Sequence, residues 1–306
     1  MSHSHSHDHA HDHAPATFGR AFAIGIALNL GFVIAEAIYG LKANSLALLA
    51  DAGHNLSDVL GLVLAWGAMI LTKRMPTARY TYGLRRTSIL AALVNALLLL
   101  LAVGAIAWEA IRHLQRPEAV MPGTIIGVAL VGIGINTATA LLFMRGRHSD
   151  LNIRGAYLHM AADAAVSAGV VIAGLIIQWT GWTWVDPAVS LAVALIIVVG
   201  TWGVLRDSVN LAIDAVPESI DPAAVTTYLQ GLPGVSAVHD LHIWGMSTTH
   251  VALTAHLVKP GVADDDKFLD GVCHELHHRF GIEHSTLQIE RGEGGVPCAL
   301  ASPEVV

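Results

Sequence analysis

The chain has 306 residues, 54% of them hydrophobic and only 13% charged. A soluble globular protein carries about 25% charged residues, so an ordinary water-soluble fold is excluded for most of the length. A net charge of −7 argues against a nucleic-acid partner, and two cysteines, Cys273 and Cys298, are too few for a disulfide framework and fit a reducing compartment.

The first segment alternates His3, His5, His7, His9, His11 and His13 with Ser, Asp and Ala. It has no apolar face to bury, so residues 1–16 read as a disordered tail that collects metal weakly. It also lacks the basic-then-apolar order of a cleavable signal peptide.

Six apolar stretches follow, at about 18–40, 46–72, 87–112, 122–144, 155–179 and 186–211. A bilayer core of about 30 Å needs about 20 apolar residues in a helix, and each stretch meets that. Ser45 is placed to cap the second helix, and Asp186-Pro187 to open the sixth. Lys73, Arg74, Arg79, Arg85 and Arg86 fill the second-to-third loop, and Arg145, Arg147 and Arg154 the fourth-to-fifth. Against these eight, the opposite side holds only Lys42, Arg112 and Arg116. The positive-inside rule then puts both termini in the cytoplasm of a multi-pass cell-membrane protein.

Beyond Val216 the pattern becomes that of a soluble domain. Residues 222–231 read as a helix, Val235–Trp244 and His250–Val258 as strands, 263–280 as a helix, and Ser285–Glu290 as a short strand. The expected fold class is therefore an α-helical membrane protein of six transmembrane helices with a C-terminal α+β domain of order αββαβ. Its parts are the tail (1–16), a membrane domain (17–215) and a cytoplasmic regulatory domain (216–306).

An ionisable side chain within a span costs at least a few kcal/mol and is a functional candidate by default. The second span reads Asp51-Ala52-Gly53-His54-Asn55-Leu56-Ser57-Asp58, and the fifth His159-Met160-Ala161-Ala162-Asp163. Both contain His-x-x-x-Asp. A four-residue step returns to one helix face, so two such faces supply two imidazoles and two carboxylates, a tetrahedral set suited to zinc. The candidate transport site is His54, Asp58, His159 and Asp163, with Ala52, Gly53, Ala161 and Ala162 small enough for close helix approach. Asp51, one turn earlier, reads as hydrated at the membrane interface or else as a second carboxylate behind the site. Glu36, Asn29, Asn55, Asn95 and Asn136 read as polar bridges between helices or as the lining of a hydrated path.

In the C-terminal domain His239, His256, His284 and Glu290 fall on or beside the strands and form a second candidate metal set, with Cys298 as a further candidate. No phosphate-binding glycine loop and no activated nucleophile is present, so the chain reads as no enzyme. A membrane-anchored metal sensor or buffer and an intramembrane metalloenzyme remain as alternatives. Four protein ligands would close the shell that a metalloenzyme leaves open for water.

These residues resemble the cation diffusion facilitators. The likeness rests on the six spans, the paired His-x-x-x-Asp, and the run Tyr82-Gly83-Leu84-Arg85-Arg86. It also rests on Val238-His239-Asp240-Leu241-His242-Ile243-Trp244 and on His284-Ser285-Thr286-Leu287-Gln288-Ile289-Glu290. The resemblance implies a homodimer that exports zinc from the cytoplasm in exchange for protons, with zinc also bound by a metallochaperone-like regulatory domain. It implies the two ligand sets named above, and a charge pair between Arg86 and Asp214. Some members bind a further metal in the second-to-third loop, but Thr77, Tyr80 and Leu84 stand where its ligands would fall. Many carry Glu two residues after the loop arginine, where this chain has Ser88.

Overall fold

The computed structural model describes residues 16–72, 74–143, 151–261 and 265–292, with 298 and 300. All of the His-rich tail but Ala16 lies outside them, as do Lys73, Arg145 and Arg147.

Six long helices come first: α1 (Ala16–Ala43), α2 (Leu46–Thr72), α3 (Thr87–Gln115), α4 (Pro122–Phe143), α5 (Leu151–Thr180) and α6 (Val185–Ala212). Among the described residues, α3, α4, α5 and α6 are long and apolar enough to cross a membrane, and only 22% to 33% of each apolar window is buried inside the protein. Apolar side chains therefore face outward along most of these helices, which suits lipid and not water. With 28 and 27 residues, α1 and α2 also have spanning length. Then come α7 (Pro222–Gln230), β1 (Ala237–Gly245), β2 (Val251–Val258), α8 (Asp265–Phe280) and β3 (His284–Glu290), the expected αββαβ order.

The chain divides into two compact units, residues 1–59 with 102–197 and residues 60–101 with 198–306. In the first, α4 packs along α5 and against α1. Its core joins Ala43, Ala47 and Leu48 to Ile125, Ala129 and Val170. Two glycines allow the helices this close. A Cβ at Gly132 would lie 2.7 Å from the Phe32 ring, and one at Gly174 would lie 2.8 Å from Ile126. Gly53 plays no such part, because a Cβ there would meet only ordinary contact with Ile106 at 3.5 Å.

The start of α2 is held from another helix. Ser45 accepts from the Leu48 amide at 3.3 Å as a cap. Asp186, buried in the first turn of α6, accepts from the Ser45 hydroxyl and from the Leu46 amide at 2.7 Å. A carboxylate at a helix N-terminus satisfies amides that have no partner within the helix. So Asp186 fixes where α2 begins, and with it the height of the polar residues further along.

In the second unit, β2 lies at the centre of a three-stranded sheet, antiparallel to β1 and parallel to β3. The parallel pair needs a crossover, which α8 provides. Val225, Leu229, Leu253, Leu257, Val272 and Leu276 form the core between α7, α8 and the sheet. The first half of α3 and the end of α6 also belong to this unit. There Arg86 pairs with Asp214, as expected. The Thr248 amide donates to Ser88 Oγ at 3.1 Å.

Candidate metal centres

The first cluster forms where α2 passes α5. The four-residue step puts His54 and Asp58 on one face of α2, with His54 Nε2 3.8 Å from Asp58 Oδ2. Across the interface, the same nitrogen lies 3.3 Å from Asp163 Oδ1 on α5. One ligand atom from each of the three falls within 4.8 Å of the others, a span that a single ion can bridge. Exposure is graded across the cluster: Asp58 is 31% exposed, His54 22% and Asp163 2%. The cluster is open on the side of Asp58 and closed behind Asp163. His159 lies on α5 one turn before Asp163, but its side chain is outside the described residues.

Asp51 corrects an expectation. It is fully buried, not hydrated at an interface. It accepts from Ser167 Oγ at 3.0 Å, and Glu36 on α1 is buried as completely. Asn55 Nδ2 reaches Glu36 at 3.5 Å. In the sequence, Glu36 and Asn55 look like bridges of the ordinary kind. The signal that sets them apart is the spacing of Asp51 and Asn55, one turn apart on α2.

The second cluster is built by strand register. Pairing of β1 with β2 sets His239 opposite His256, with ring centroids 5.2 Å apart. From the end of β3, Glu290 reaches both: Oε1 is 3.0 Å from His256 Nδ1, and Oε2 is 3.4 Å from His239 Nε2. Cys298 Sγ comes within 3.5 Å of His256 Nδ1. His239, His256, Glu290 and Cys298 each place a ligand atom within 4.8 Å of the others. Burial alone would raise the Glu290 carboxyl. The Cys298 thiol, His239, Gln288 and His256 outweigh it and hold that carboxyl below its ordinary range. At Cys298 a backbone hydrogen bond at Leu300 lowers the thiol pKa. The neighbouring Glu290 and burial outweigh it, so the thiol keeps its proton at neutral pH.

His284 does not join this cluster. It opens β3, six residues from Glu290, or about 20 Å along a strand. It pairs with Ala252 and packs edge-on against Tyr82, with centroids 5.6 Å apart. Asp240 is the residue that sequence reading missed. A bulge between His239 and His242 gives Asp240 a positive φ of 51°. This turns its carboxylate to 3.5 Å from His256 Nε2 and 2.9 Å from His242 Nε2. An Asp among β-branched and aromatic neighbours, able to adopt a left-handed conformation, was the available cue.

Comparison with known proteins bears on both clusters. Residues 22–211 match the family profile described as the cation efflux transmembrane domain, and residues 217–292 the one described as the cation efflux protein cytoplasmic domain. The chain belongs to the cation diffusion facilitator family. Such proteins are membrane transporters that carry metal cations outward, not enzymes. The zinc transporter ZitB of Escherichia coli (strain K12) is 37% identical over 95% of this chain and 93% of that protein. The cadmium, cobalt and zinc/H(+)-K(+) antiporter of Bacillus subtilis (strain 168) is 35% identical over 89% of this chain and 88% of that protein. A solved metal-bound C-terminal domain of the CzcD transporter from Cuprividus metallidurans is 33% identical, covering 23% of this chain and 99% of that one with a TM-score of 0.22. As a facilitator, this chain carries its first cluster within residues 22–211 and its second within 217–292, apart from Cys298.

Proposed function

We propose that this facilitator exports zinc from the cytoplasm in exchange for protons, as a homodimer in the cell membrane with both termini cytoplasmic. His54, Asp58, His159 and Asp163 hold the transported ion, and the cytoplasmic domain binds zinc through His239, His256 and Glu290, with Cys298 in the place expected of His284. The functional division is a His-rich tail (1–16), a six-span membrane domain (17–215) and a regulatory domain (216–306).

The observation that carries this reading is the position of His54 Nε2 between the carboxylates of Asp58 and Asp163. A neutral imidazole and ionised carboxylates are what a divalent borderline metal requires, and each is also a proton acceptor. Metal and protons therefore compete for one set of atoms, which is the chemical basis of antiport. The exposure gradient suits a site that receives an ion from one side at a time. Names of relatives support the cargo and the coupling, since one is a zinc transporter and another an antiporter of zinc with protons.

The test is zinc uptake into sealed inverted vesicles under an imposed pH gradient. Uptake that collapses when the gradient is dissipated, and that is absent in Asp163→Ala, supports the proposal. Zinc uptake indifferent to the gradient removes the proton from the cycle.

A further inference from the structure

The helix α8 carries a second patterning beside its core stripe. Val272 and Leu276 are buried, and Phe268 and Phe280 pack against the same core. These four positions, each four residues apart, are the face turned to the sheet. His274 and His278 each follow a buried residue by two positions, about 200° round the helix, and are exposed. Their rings lie against each other with centroids 4.2 Å apart, and the His277 ring lies 5.0 Å from that of His278. Among the described residues, no hydrogen bond or ion pair joins these three imidazoles to another side chain. Asp270, also exposed, stands one turn before His274 on the same face.

The geometry points to a divalent metal site on the outer face of α8, with His274 and His278 as a chelating pair, separate from the cluster at His239. Two imidazoles at i and i+4 are the pairing by which a single helix grips zinc. Nitrogen donors select the zinc, nickel and copper class over magnesium or calcium, which prefer oxygen. His278 lies in the last turn of α8, where the partial negative charge of the helix end favours a cation. Asp270 and His277 are placed to add a third donor, and water completes the shell. An open two-nitrogen site exchanges its ion readily, so its role is to collect metal at the surface of the cytoplasmic domain.

The experiment uses the full chain in detergent with zinc chloride as the only added metal. Carbethoxylation of each histidine is followed by mass spectrometry with and without zinc. Zinc is expected to slow modification of His274 and His278 together, by about tenfold, because the second donor acts at high effective concentration once the first has bound. In His278→Gln the protection of His274 is expected to vanish, while His239 and His256 remain protected, which shows the domain is folded. Two results overturn the site: rates at His274 and His278 indifferent to zinc, or protection of His274 that persists in His278→Gln. Neither touches the transport proposal, which is read by flux.

Discussion

The two ligand clusters use the same donors on different scaffolds. In the membrane domain, His54, Asp58 and Asp163 project from the sides of two helices, each of which holds its backbone hydrogen bonds within itself. In the cytoplasmic domain, His239, His256 and Glu290 stand on neighbouring strands of one hydrogen-bonded sheet. Packed helices can slide or rotate by an ångström or two without losing their own hydrogen bonds. A strand cannot slip by one residue without turning its side chains to the other face, and any slip breaks its hydrogen bonds to its neighbours. The first scaffold suits an ion that must be released, and the second an ion that stays and reports. Cys298 extends the contrast, since it lies beyond the last strand in sequence and still meets His256 on the central one.

The largest effect expected from this contrast concerns Asp163. It is the most buried of the three intramembrane donors and faces His54 directly. Asp163→Ala is predicted to reduce zinc flux by more than about 100-fold, beyond the 10- to 100-fold typical for loss of a residue that merely supports a ligand. Glu290→Ala should leave maximal flux near the wild-type rate. Equal losses in the two variants would erase the distinction between a cargo site and a reporting site.

Next in size is a change of metal. His54→Asp replaces the shared imidazole by a third carboxylate on a shorter side chain, which leaves more room between α2 and α5. Cadmium is larger than zinc, and the looser shell suits it. Zinc transport is predicted to persist, with the cadmium-to-zinc ratio rising about tenfold, a difference of the size a reshaped pocket commonly produces. Vesicle uptake of each metal measures it. An unchanged ratio would mean that the helical scaffold, and not the donor at position 54, sets the preference.

The same contrast explains which parts of the molecule are legible in the amino-acid sequence. His54 with Asp58 and His159 with Asp163 are local patterns, since a helix converts a spacing of four into a shared face. The αββαβ order is legible for a similar reason, because alternation and turn residues mark strands within a few positions. The second cluster is only half legible. His284 and Glu290 are both polar ends of one strand, and only the register, with His256 opposite Gln288 and Val258 opposite Glu290, shows which end meets the histidines. The bulge that aims Asp240 and the return of Cys298 are tertiary facts with no periodic signal. The burial of Asp51 is equally hidden. A single carboxylate one turn from a helix start looks hydrated unless its partner on another helix, Ser167, is known.

A smaller effect is expected at Glu290, and it carries a pH signature. Its carboxyl is held below the ordinary value of 4.5. The stabilisation it contributes is therefore complete above that value and fades as pH falls through the lowered one. Glu290→Gln is predicted to weaken zinc binding by the cytoplasmic cluster about tenfold. The ratio of wild-type to variant affinity should hold between pH 7 and pH 5, since Glu290 stays ionised across that range. Zinc isotherms at the two pH values check this. A ratio that narrows by pH 5 would show that Glu290 titrates earlier than its surroundings dictate.

The smallest effect concerns the pair between Arg86 and Asp214, at the start of α3 and just past the end of α6. Both side chains are about half exposed, at 53% and 50%, so water screens their attraction and the coupling is expected to be at most about 1 kcal/mol. Asp214 has a second reason to be there, because its φ is 63° and Asp tolerates that left-handed conformation better than most residues. Reversing one charge, as in Arg86→Asp or Asp214→Arg, should lower stability modestly. The double exchange should recover only part of the loss, since arginine at position 214 regains the charge pair but not the backbone preference. Thermal unfolding of the four proteins in a double-mutant cycle separates the two contributions. The position matters because Ser88, two residues on from Arg86, accepts from the Thr248 amide in the loop between β1 and β2. If the sheet site reports its metal to α3, it does so through this joint. Strictly additive single effects would mean that Arg86 and Asp214 are neighbours without being a joint, leaving Ser88 and the packing of Tyr82 on His284 to carry the signal.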